Sequence, residues 1–183
     1  MKYSKILSNT VIITIALLAM ACASKESVDI PGANPEPNPP TDNAENAPDF
    51  SLTDLNGNTV KLDDFNNKVL VLFFFGYSCP TCTSAGPKIQ SQLADTYGSN
   101  NDFAIIGLDV WNGNSSAVQS FKDVTGITFP LLLNASATAS SYKSSYDRLL
   151  VVDKLGKIRF KGTRLASQDL ENAIDAVKIY LDK

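Results

Sequence analysis

The chain has 183 residues, of which 44% are hydrophobic, and this is enough for one domain with a buried core. Its net charge at pH 7 is −3, and no basic cluster follows the first few residues, so we expect no nucleic-acid partner. Histidine is absent, which excludes histidine-based acid–base catalysis, zinc sites with histidine ligands and most copper sites. We therefore expect neither a bound metal nor a cofactor.

The first 21 residues have the pattern of an export signal, because a short basic region precedes an apolar run at 11–21 that is too short to span a bilayer. Small residues before Cys22 resemble a bacterial lipobox, in which the cysteine is lipidated. Ordinary secretion, with cleavage after the small residues at 19–21, is the alternative. Both interpretations predict export to a compartment where disulfides persist. We expect a lipid anchor in the cell envelope facing the periplasm, and Ala23 favours the outer membrane.

Residues 22–46 differ sharply in composition from the rest of the chain. Five prolines stand among Gly, Asn, Asp and Glu, and large apolar side chains are few. Such a segment buries too little surface to offset its ordering entropy, so an extended tether is predicted. A tether behind a lipidated Cys22 would let an anchored domain reach its partners, although a plain disordered segment has the same composition. One folded domain is then predicted over 47–183.

Apolar periodicity and turn residues predict alternating strands and helices in this domain. The sequence Asn56-Gly57-Asn58 is a hairpin signal, and the apolar run at 69–75 predicts a central strand buried on both faces. Strands are predicted at 49–52, 59–62, 68–75, 103–110, 129–133, 149–152 and 158–161, and helices at 80–97, 115–124, 137–142 and 167–181. This order is typical of an α/β sandwich around a mixed sheet.

Capping and proline rules add detail to three of these helices. Ser115 or Ser116 is expected to cap the second helix, and Ser167 the last one. Pro87 is expected to kink the first helix, because an interior proline lacks the N–H of a helical hydrogen bond.

The most informative motif is Cys79-Pro80-Thr81-Cys82, which follows the central strand and opens the first helix. Unpaired N–H groups and the positive end of the helix dipole favour a thiolate at that place. One helical turn between the cysteines brings their sulfurs close enough to bond. In this context Cys-x-x-Cys indicates thiol–disulfide exchange, whereas an inert structural disulfide is the competing interpretation.

The two cysteines are expected to have different roles. Cys79 is the predicted nucleophile, because it should be more exposed and its pKa should lie below the free-thiol value of about 8.5. Cys82, less exposed, would resolve the mixed disulfide by attacking Cys79. Around the cysteines, the predicted active-site neighbourhood includes Tyr77, Ser78, Pro80 and Thr81.

These residues resemble the TlpA/ResA-type thiol–disulfide oxidoreductases, in the redoxin branch of the thioredoxin fold. The likeness runs from residue 47 to the end of the chain, and it rests on 47–52, 56–62, the apolar strand, Cys-Pro-x-Cys, Pro87 and 151–158. The resemblance implies a thioredoxin-like three-layer sandwich with an N-terminal β-hairpin extension. It also implies an extracytoplasmic enzyme that acts on protein thiols or disulfides with an unidentified redox partner, and we expect it to work as a reductase.

Three positions depart from the family pattern. Ser78 stands where the family has Trp, and Phe73 stands where thioredoxins bury an aspartate. Asp147 stands at the place of the family's cis-proline, which faces the disulfide. Either Asp147 or Arg148 could therefore lie opposite the sulfurs: Arg148 would stabilise the Cys79 thiolate, and Asp147 would raise the thiol pKa. A solvated turn with a weak ion pair is the alternative.

Two residues near the end of the strand at 103–110 have open interpretations. Trp111 could border a substrate groove, since sites in α/β proteins gather at strand ends, or it could cap the core. Asp109 is interpreted as a turn residue, with a proton relay as the alternative.

Two other functions compete with disulfide exchange. A peroxiredoxin-type thiol peroxidase would need a hydroxyl residue at 76 and a proline at 72, where this chain has Gly76 and Leu72. The stretch 74–80 also resembles Sco-type copper proteins. That family spaces its cysteines differently and adds a histidine, which this chain lacks.

Overall fold

A seven-stranded sheet runs through residues 44–183, which are the residues that the computed structural model describes. The strands are β1 (Ser51–Asp54), β2 (Thr59–Lys61), β3 (Val69–Phe75), β4 (Phe103–Asp109), β5 (Leu131–Leu133), β6 (Arg148–Val152) and β7 (Ile158–Lys161). Their order in the sheet is β2-β1-β5-β4-β3-β6-β7. The helices are α1 (Pro80–Ile89), α2 (Asp95–Tyr97), α3 (Ser115–Thr125), α4 (Ser136–Ser141) and α5 (Ala166–Leu181), with a 3₁₀ turn at Leu62–Phe65.

Strand β3 is an inner strand of the sheet, between β4 and β6, and every one of its side chains is buried. It pairs in parallel with β4 and antiparallel with β6. Alternate β3 residues point to opposite faces. Val69, Val71, Phe73 and Phe75 pack with residues of α1, α3 and α5, whereas Leu70, Leu72 and Phe74 pack with residues of α4. The predicted three-layer sandwich is therefore confirmed.

The N-terminal hairpin β1–β2 extends one edge of the sheet, because β1 also pairs antiparallel with β5. Asp54 fixes the turn: its Oδ1 accepts hydrogen bonds from the backbone N–H groups of Asn56 and Asn58, both at 2.8 Å. Gly57 adopts a positive φ of 84°, which glycine does without steric strain. The predicted hairpin extension is confirmed, with β1 starting two residues later than 49.

The predicted helix at 80–97 is helical over its whole length, but its hydrogen bonding changes along the way. Pro87 lies inside α1, and a π-helical segment at Gln90–Ala94 follows before α2 begins. At the junction, the Gln90 N–H is shared between the carbonyl oxygens of Gly86 and Pro87. The chain thus passes from α1 to α2 without an intervening loop.

The caps of two helices differ from the prediction. Asn114 caps α3, because its side chain accepts a hydrogen bond from the Ala117 N–H at 2.9 Å, so the expected Ser115 or Ser116 cap was wrong. Asparagine is as good a cap as serine and stands one residue earlier, at the end of the extended backbone. Ser167 does not cap α5, since it lies inside the first turn of that helix.

Asp169, and not Ser167, holds the loop before α5. Leu165 occupies the N-cap position of α5 and makes no side-chain cap hydrogen bond. The buried carboxylate of Asp169 accepts hydrogen bonds from the backbone N–H groups of Thr163 and Arg164, at 2.9 and 2.8 Å. A carboxylate one turn into the helix satisfies this loop better than a serine hydroxyl would.

Backbone contacts reach back to Glu45, two residues before the predicted domain start. The Glu45 carbonyl oxygen accepts a hydrogen bond from the Ile158 N–H at 2.9 Å, and Asn46 forms a bridge with Lys157. The predicted export signal, the Cys22 lipidation site and the tether before residue 44 lie outside the described residues. Within 44–183, no helix is both long enough and apolar enough to cross a membrane.

Candidate active site

Cys79 and Cys82 form a disulfide at the start of α1, with their α-carbons 5.3 Å apart. Cys79 is the N-cap residue of the helix, and Pro80 takes the first helical position, where its missing N–H leaves no bond unmade. The Cys79 sulfur accepts a hydrogen bond from the Cys82 N–H at 3.1 Å. The turn after β3 is closed by a hydrogen bond from the Cys79 N–H to the Gly76 carbonyl oxygen at 3.0 Å. The strand–turn–helix context expected of the motif is therefore present.

Both sulfur-bearing residues are buried, with Cys79 1% and Cys82 0% exposed. Cys79 was expected to be the more exposed cysteine, and the structure buries both cysteines almost equally. As the N-cap residue, Cys79 directs its sulfur back over the end of α1 toward the Cys82 N–H instead of toward solvent. Ser78, just before the motif, and Pro80 and Thr81 within it are exposed, and the Thr81 hydroxyl lies 3.2 Å from the Cys79 sulfur.

Asp147 lies beside the disulfide. Because β6 runs antiparallel to β3, with Arg148 opposite Phe74, the residue before β6 reaches the end of β3 where the motif begins. One carboxylate oxygen of Asp147 and the two cysteine sulfurs all lie within 4.8 Å of one another. Asp147 is 0% exposed, so the solvated-turn interpretation does not hold for it.

The two carboxylate oxygens of Asp147 have different surroundings. Oδ1 accepts a hydrogen bond from the Ala166 N–H at 3.1 Å, at the start of α5. Oδ2 is buried and has no hydrogen-bond partner among the described residues. The helix end fixes the position of the carboxylate and leaves one oxygen open for a donor or a cation.

Arg148, the other residue considered for the place opposite the sulfurs, is half-buried. Its guanidinium Nη1 donates a hydrogen bond to the backbone carbonyl oxygen of Asp147 at 2.8 Å. Its side chain also lines a surface cleft of about 440 Å³ with Lys143, Ser144, Ser145, Lys161, Gly162 and Thr163. Of the pair, the structure places the carboxylate of Asp147 with the sulfurs.

Three aromatic side chains lie next to the motif, and we call them the aromatic rim: Tyr77, Trp111 and Tyr146. The Trp111 ring makes edge contacts with Tyr77 and Tyr146, at centroid distances of 6.2 and 5.0 Å. Trp111 is 39% and Tyr146 45% exposed, so Trp111 does not simply cap the core. Tyr146 was not predicted from the sequence, although its place directly before Asp147 could have indicated it.

Asp109 holds the two loops that carry Tyr77 and Trp111. Its Oδ1 accepts hydrogen bonds from the N–H groups of Tyr77 and Trp111 at 3.2 and 3.3 Å, and its Oδ2 accepts from Gly113 at 2.5 Å. Burial raises the pKa of Asp109 above its ordinary value, and the three N–H donors act in the opposite direction. The turn interpretation therefore fits, and Asp109 also positions the aromatic rim.

Among the described residues, Cys79, Cys82 and Asp147 are also the group of side chains that could hold a metal ion. Two thiolates and a carboxylate offer two soft ligands and one hard ligand at distances that an ion could bridge.

Comparison with known proteins agrees with this geometry. The Thioredoxin-like protein YneN of Bacillus subtilis (strain 168) is 28% identical over 139 residues, covering 72% of this chain and 78% of that protein. The Thiol-disulfide oxidoreductase ResA of Geobacillus kaustophilus (strain HTA426) is 28% identical over 136 residues, covering 72% and 76%. A solution structure from Bacteroides thetaiotaomicron, described as a candidate protein disulfide isomerase, superposes with a TM-score of 0.69 at 26% identity, covering 76% of this chain and 90% of that one.

The fold, the cysteine pair and these relatives agree with the match of a family model to residues 44–161. The chain belongs to the AhpC/TSA family.

Proposed function

We propose that the chain is a thiol–disulfide oxidoreductase that exchanges disulfides with protein substrates through Cys79 and Cys82. The observation that carries the proposal is the disulfide between these cysteines at the N-terminal end of α1. In the reduced enzyme, the Cys79 thiolate attacks a substrate disulfide and forms a mixed disulfide. The Cys82 thiolate then attacks the Cys79 sulfur, which releases the substrate as a dithiol and restores the enzyme disulfide. Two electrons pass from the cysteine pair to the substrate.

Asp147 supports reduction as the direction of this exchange. Strongly oxidising cysteine pairs owe their potential to a stabilised thiolate in the reduced form. A carboxylate within 4.8 Å of both sulfurs repels a thiolate, so it removes that stabilisation. The enzyme is then a reductase, and a thiol-containing redox partner must return it to the dithiol form after each turnover.

Export and lipid anchoring complete the proposal. The support is the apolar run at 11–21 with small residues before Cys22, followed by the proline-rich stretch over 22–46. The tether holds the enzyme to the membrane on the periplasmic side, where protein disulfides form and need reduction. Metabolic labelling with palmitate tests the anchor: the parent protein incorporates the label and Cys22→Ser does not. Labelling of neither protein, with both secreted, would contradict the anchor.

Insulin reduction by the full chain, with dithiothreitol as electron donor, tests the proposed function. Cys79→Ser abolishes turnover, and Cys82→Ser accumulates mixed disulfides, because the second attack is missing. Cys22→Ser is the matched control: it also replaces one cysteine with serine, yet it leaves the Cys79–Cys82 pair intact and should retain full activity. Full activity of Cys79→Ser would refute the proposal.

Thiol peroxidase chemistry is the second candidate to be tested, since peroxiredoxins share this fold branch. The structure supports it less, because Gly76 offers no hydroxyl to hold a peroxide, and the Trp111 ring covers its α-carbon. Stopped-flow oxidation of the reduced chain by hydrogen peroxide should proceed no faster than oxidation of free cysteine. A much faster reaction would favour the peroxidase.

A further inference from the structure

We infer that the reduced protein has a metal site for a thiophilic divalent cation, formed by the thiolates of Cys79 and Cys82 and the carboxylate of Asp147. The inference goes beyond disulfide exchange, because a bound ion is not needed for that reaction. It also revises the expectation of no metal site, which rested on the absence of histidine. Two thiolates and one carboxylate can hold a cation without a histidine.

Geometry is the first argument for this site. The two sulfurs and one Asp147 oxygen lie within 4.8 Å of one another while the disulfide is closed. Reduction removes the bond between the sulfurs and lets them separate, and zinc binds sulfur at about 2.3 Å and carboxylate oxygen at about 2.0–2.2 Å. Three atoms at this spacing can therefore surround one ion, with a fourth position left for water.

The open oxygen of Asp147 is a second, independent argument. Oδ2 is buried without a hydrogen-bond partner among the described residues, in a side chain that is 0% exposed. A buried acceptor without a partner is costly, and its usual explanation is a missing donor, water or ion. The Ala166 N–H holds Oδ1, so the carboxylate is fixed in place and only Oδ2 is free to take a cation.

Charge is the third argument. Reduction and deprotonation of the cysteines would put two negative sulfurs beside a carboxylate in a buried site, and burying unpaired charges is unfavourable. A divalent cation offsets most of this charge. Binding releases one proton from each thiol and forms two metal–sulfur bonds, with no change in oxidation state of sulfur or metal. The disulfide cannot bind in this way, so the site exists only in the reduced protein.

Zinc titration of the full chain, reduced with a phosphine and monitored by competition with a chromophoric chelator, tests the site. The reduced parent should bind one Zn²⁺, and the same protein oxidised with diamide should bind none at this site. Asp147→Asn should weaken binding at least about tenfold, since even partners that only orient a ligand contribute about 10–100-fold. Asn keeps the side-chain size and can still accept the hydrogen bond from Ala166.

Two control variants separate coordination from general electrostatics. Glu171→Gln removes one exposed carboxylate from α5 and should bind zinc as tightly as the parent. Cys22→Ser should do so too, because Cys22 is outside the proposed ligands. The site would be refuted if the reduced parent bound zinc no tighter than Cys79→Ser, or if Asp147→Asn bound it as tightly as the parent.

A measurement on the parent protein alone guards against misfolding of Asp147→Asn. The ¹¹³Cd resonance of the reduced, cadmium-loaded chain should show the chemical shift of a site with two sulfur ligands and oxygen. A shift typical of three or more sulfurs, or of oxygen ligands alone, would overturn the assignment. Zinc binding is measured without catalytic turnover, and insulin reduction is measured in buffer whose chelator removes metal ions. A negative result for the metal site would therefore not contradict disulfide exchange, and a negative result for disulfide exchange would not contradict the metal site.

Discussion

Asp147 and Cys79 lie side by side, with a carboxylate oxygen and the sulfur within 4.8 Å, because antiparallel pairing of β6 with β3 brings the start of one strand to the end of the other. Because Arg148 lies opposite Phe74, the preceding residue, Asp147, is placed at the end of β3. A negatively charged group is thereby placed where the family has an uncharged proline. The redox properties of the cysteine pair should depend on this carboxylate.

Asp147→Asn should make the cysteine pair more oxidising. Loss of the negative charge stabilises the thiolate of the reduced form, so reduction becomes easier. We expect a rise in reduction potential of about 30 mV or more, which corresponds to a tenfold change in the equilibrium constant. Redox titration against glutathione in chelator-containing buffer measures it. Glu171→Gln is the charge-matched control and should not move the potential; an unchanged potential in Asp147→Asn would contradict the role of the carboxylate.

Asp147→Pro should destabilise the protein, although it restores the residue type of the family. Asp147 has a φ of 56°, in the left-handed region, whereas the proline ring fixes φ near −65°. Introducing proline against the native φ should cost more than about 1 kcal/mol. Asp147→Gly is the matched comparison, because glycine adopts this φ freely and loses only the side-chain contacts. In urea unfolding, the parent should be the most stable of the three proteins, Asp147→Gly should be less stable, and Asp147→Pro should be the least stable.

Much of this molecule could be predicted from its sequence, and the reasons are local. The apolar run at 69–75 and the Cys-Pro-Thr-Cys motif each carry their own structural signal, so β3 and the start of α1 were confirmed. Counting along the family pattern also brought Asp147 to the neighbourhood of the cysteines. The caps were wrong because Asn114 and Asp169 compete with nearby serines through contacts that sequence spacing does not rank.

What could not be predicted depends on contacts between distant segments. The burial of Cys79 follows from the direction of its sulfur at the end of α1, and the aromatic rim requires the loops after β3, β4 and α4 to meet. The open oxygen of Asp147 follows from the position of Ala166 at the start of α5. None of these arrangements has a periodic or compositional signal.

Asp109→Asn should destabilise the loops that carry the aromatic rim. Both oxygens of Asp109 accept hydrogen bonds from backbone N–H groups, and Asn would turn one oxygen into a donor that faces another donor. The expected loss is about 1–3 kcal/mol. Urea unfolding at neutral pH measures it. A loss of less than a few tenths of a kcal/mol would show that the loops are held by other contacts.

The same substitution should change the dependence of stability on pH. Burial raises the pKa of Asp109 above its ordinary value of 3.8, so the folded state holds this proton more tightly than the unfolded chain does. The resulting stabilisation is fully present below 3.8 and is lost as the pH rises through the raised pKa. Asp109→Asn does not titrate and should lack this decline. An identical acid-side profile in both proteins would contradict the raised pKa.

Gly76→Ala should displace the Trp111 ring. A β-carbon at this position would lie 2.4–2.7 Å from three ring atoms of Trp111, which is closer than carbon atoms can approach. We expect a loss of about 1–3 kcal/mol, typical of overpacking. Because the chain has one tryptophan, its fluorescence should shift as well. In a Trp111→Ala background the added cost of Gly76→Ala should largely disappear, and a persistent cost would place the clash elsewhere.

Tyr142→Phe should leave stability unchanged or increase it by about 1 kcal/mol, because the buried Tyr142 hydroxyl has no hydrogen-bond partner among the described residues. The ring, which packs at 5.7 Å from that of Phe74, would stay in place.

Burial, with a contribution from the charge of Asp49, raises the pKa of Tyr142 above its ordinary value of 10.0. The folded parent therefore binds the Tyr142 proton more tightly than the unfolded chain does. The stability of the parent should fall as the pH rises above 10.0, and Tyr142→Phe should lack this fall. Urea unfolding at neutral and alkaline pH measures both effects, and substitution of the half-buried Tyr97 by Phe is the control. If Tyr142→Phe lost well above 1 kcal/mol of stability at neutral pH, the Tyr142 hydroxyl would have a hydrogen-bond partner in solution.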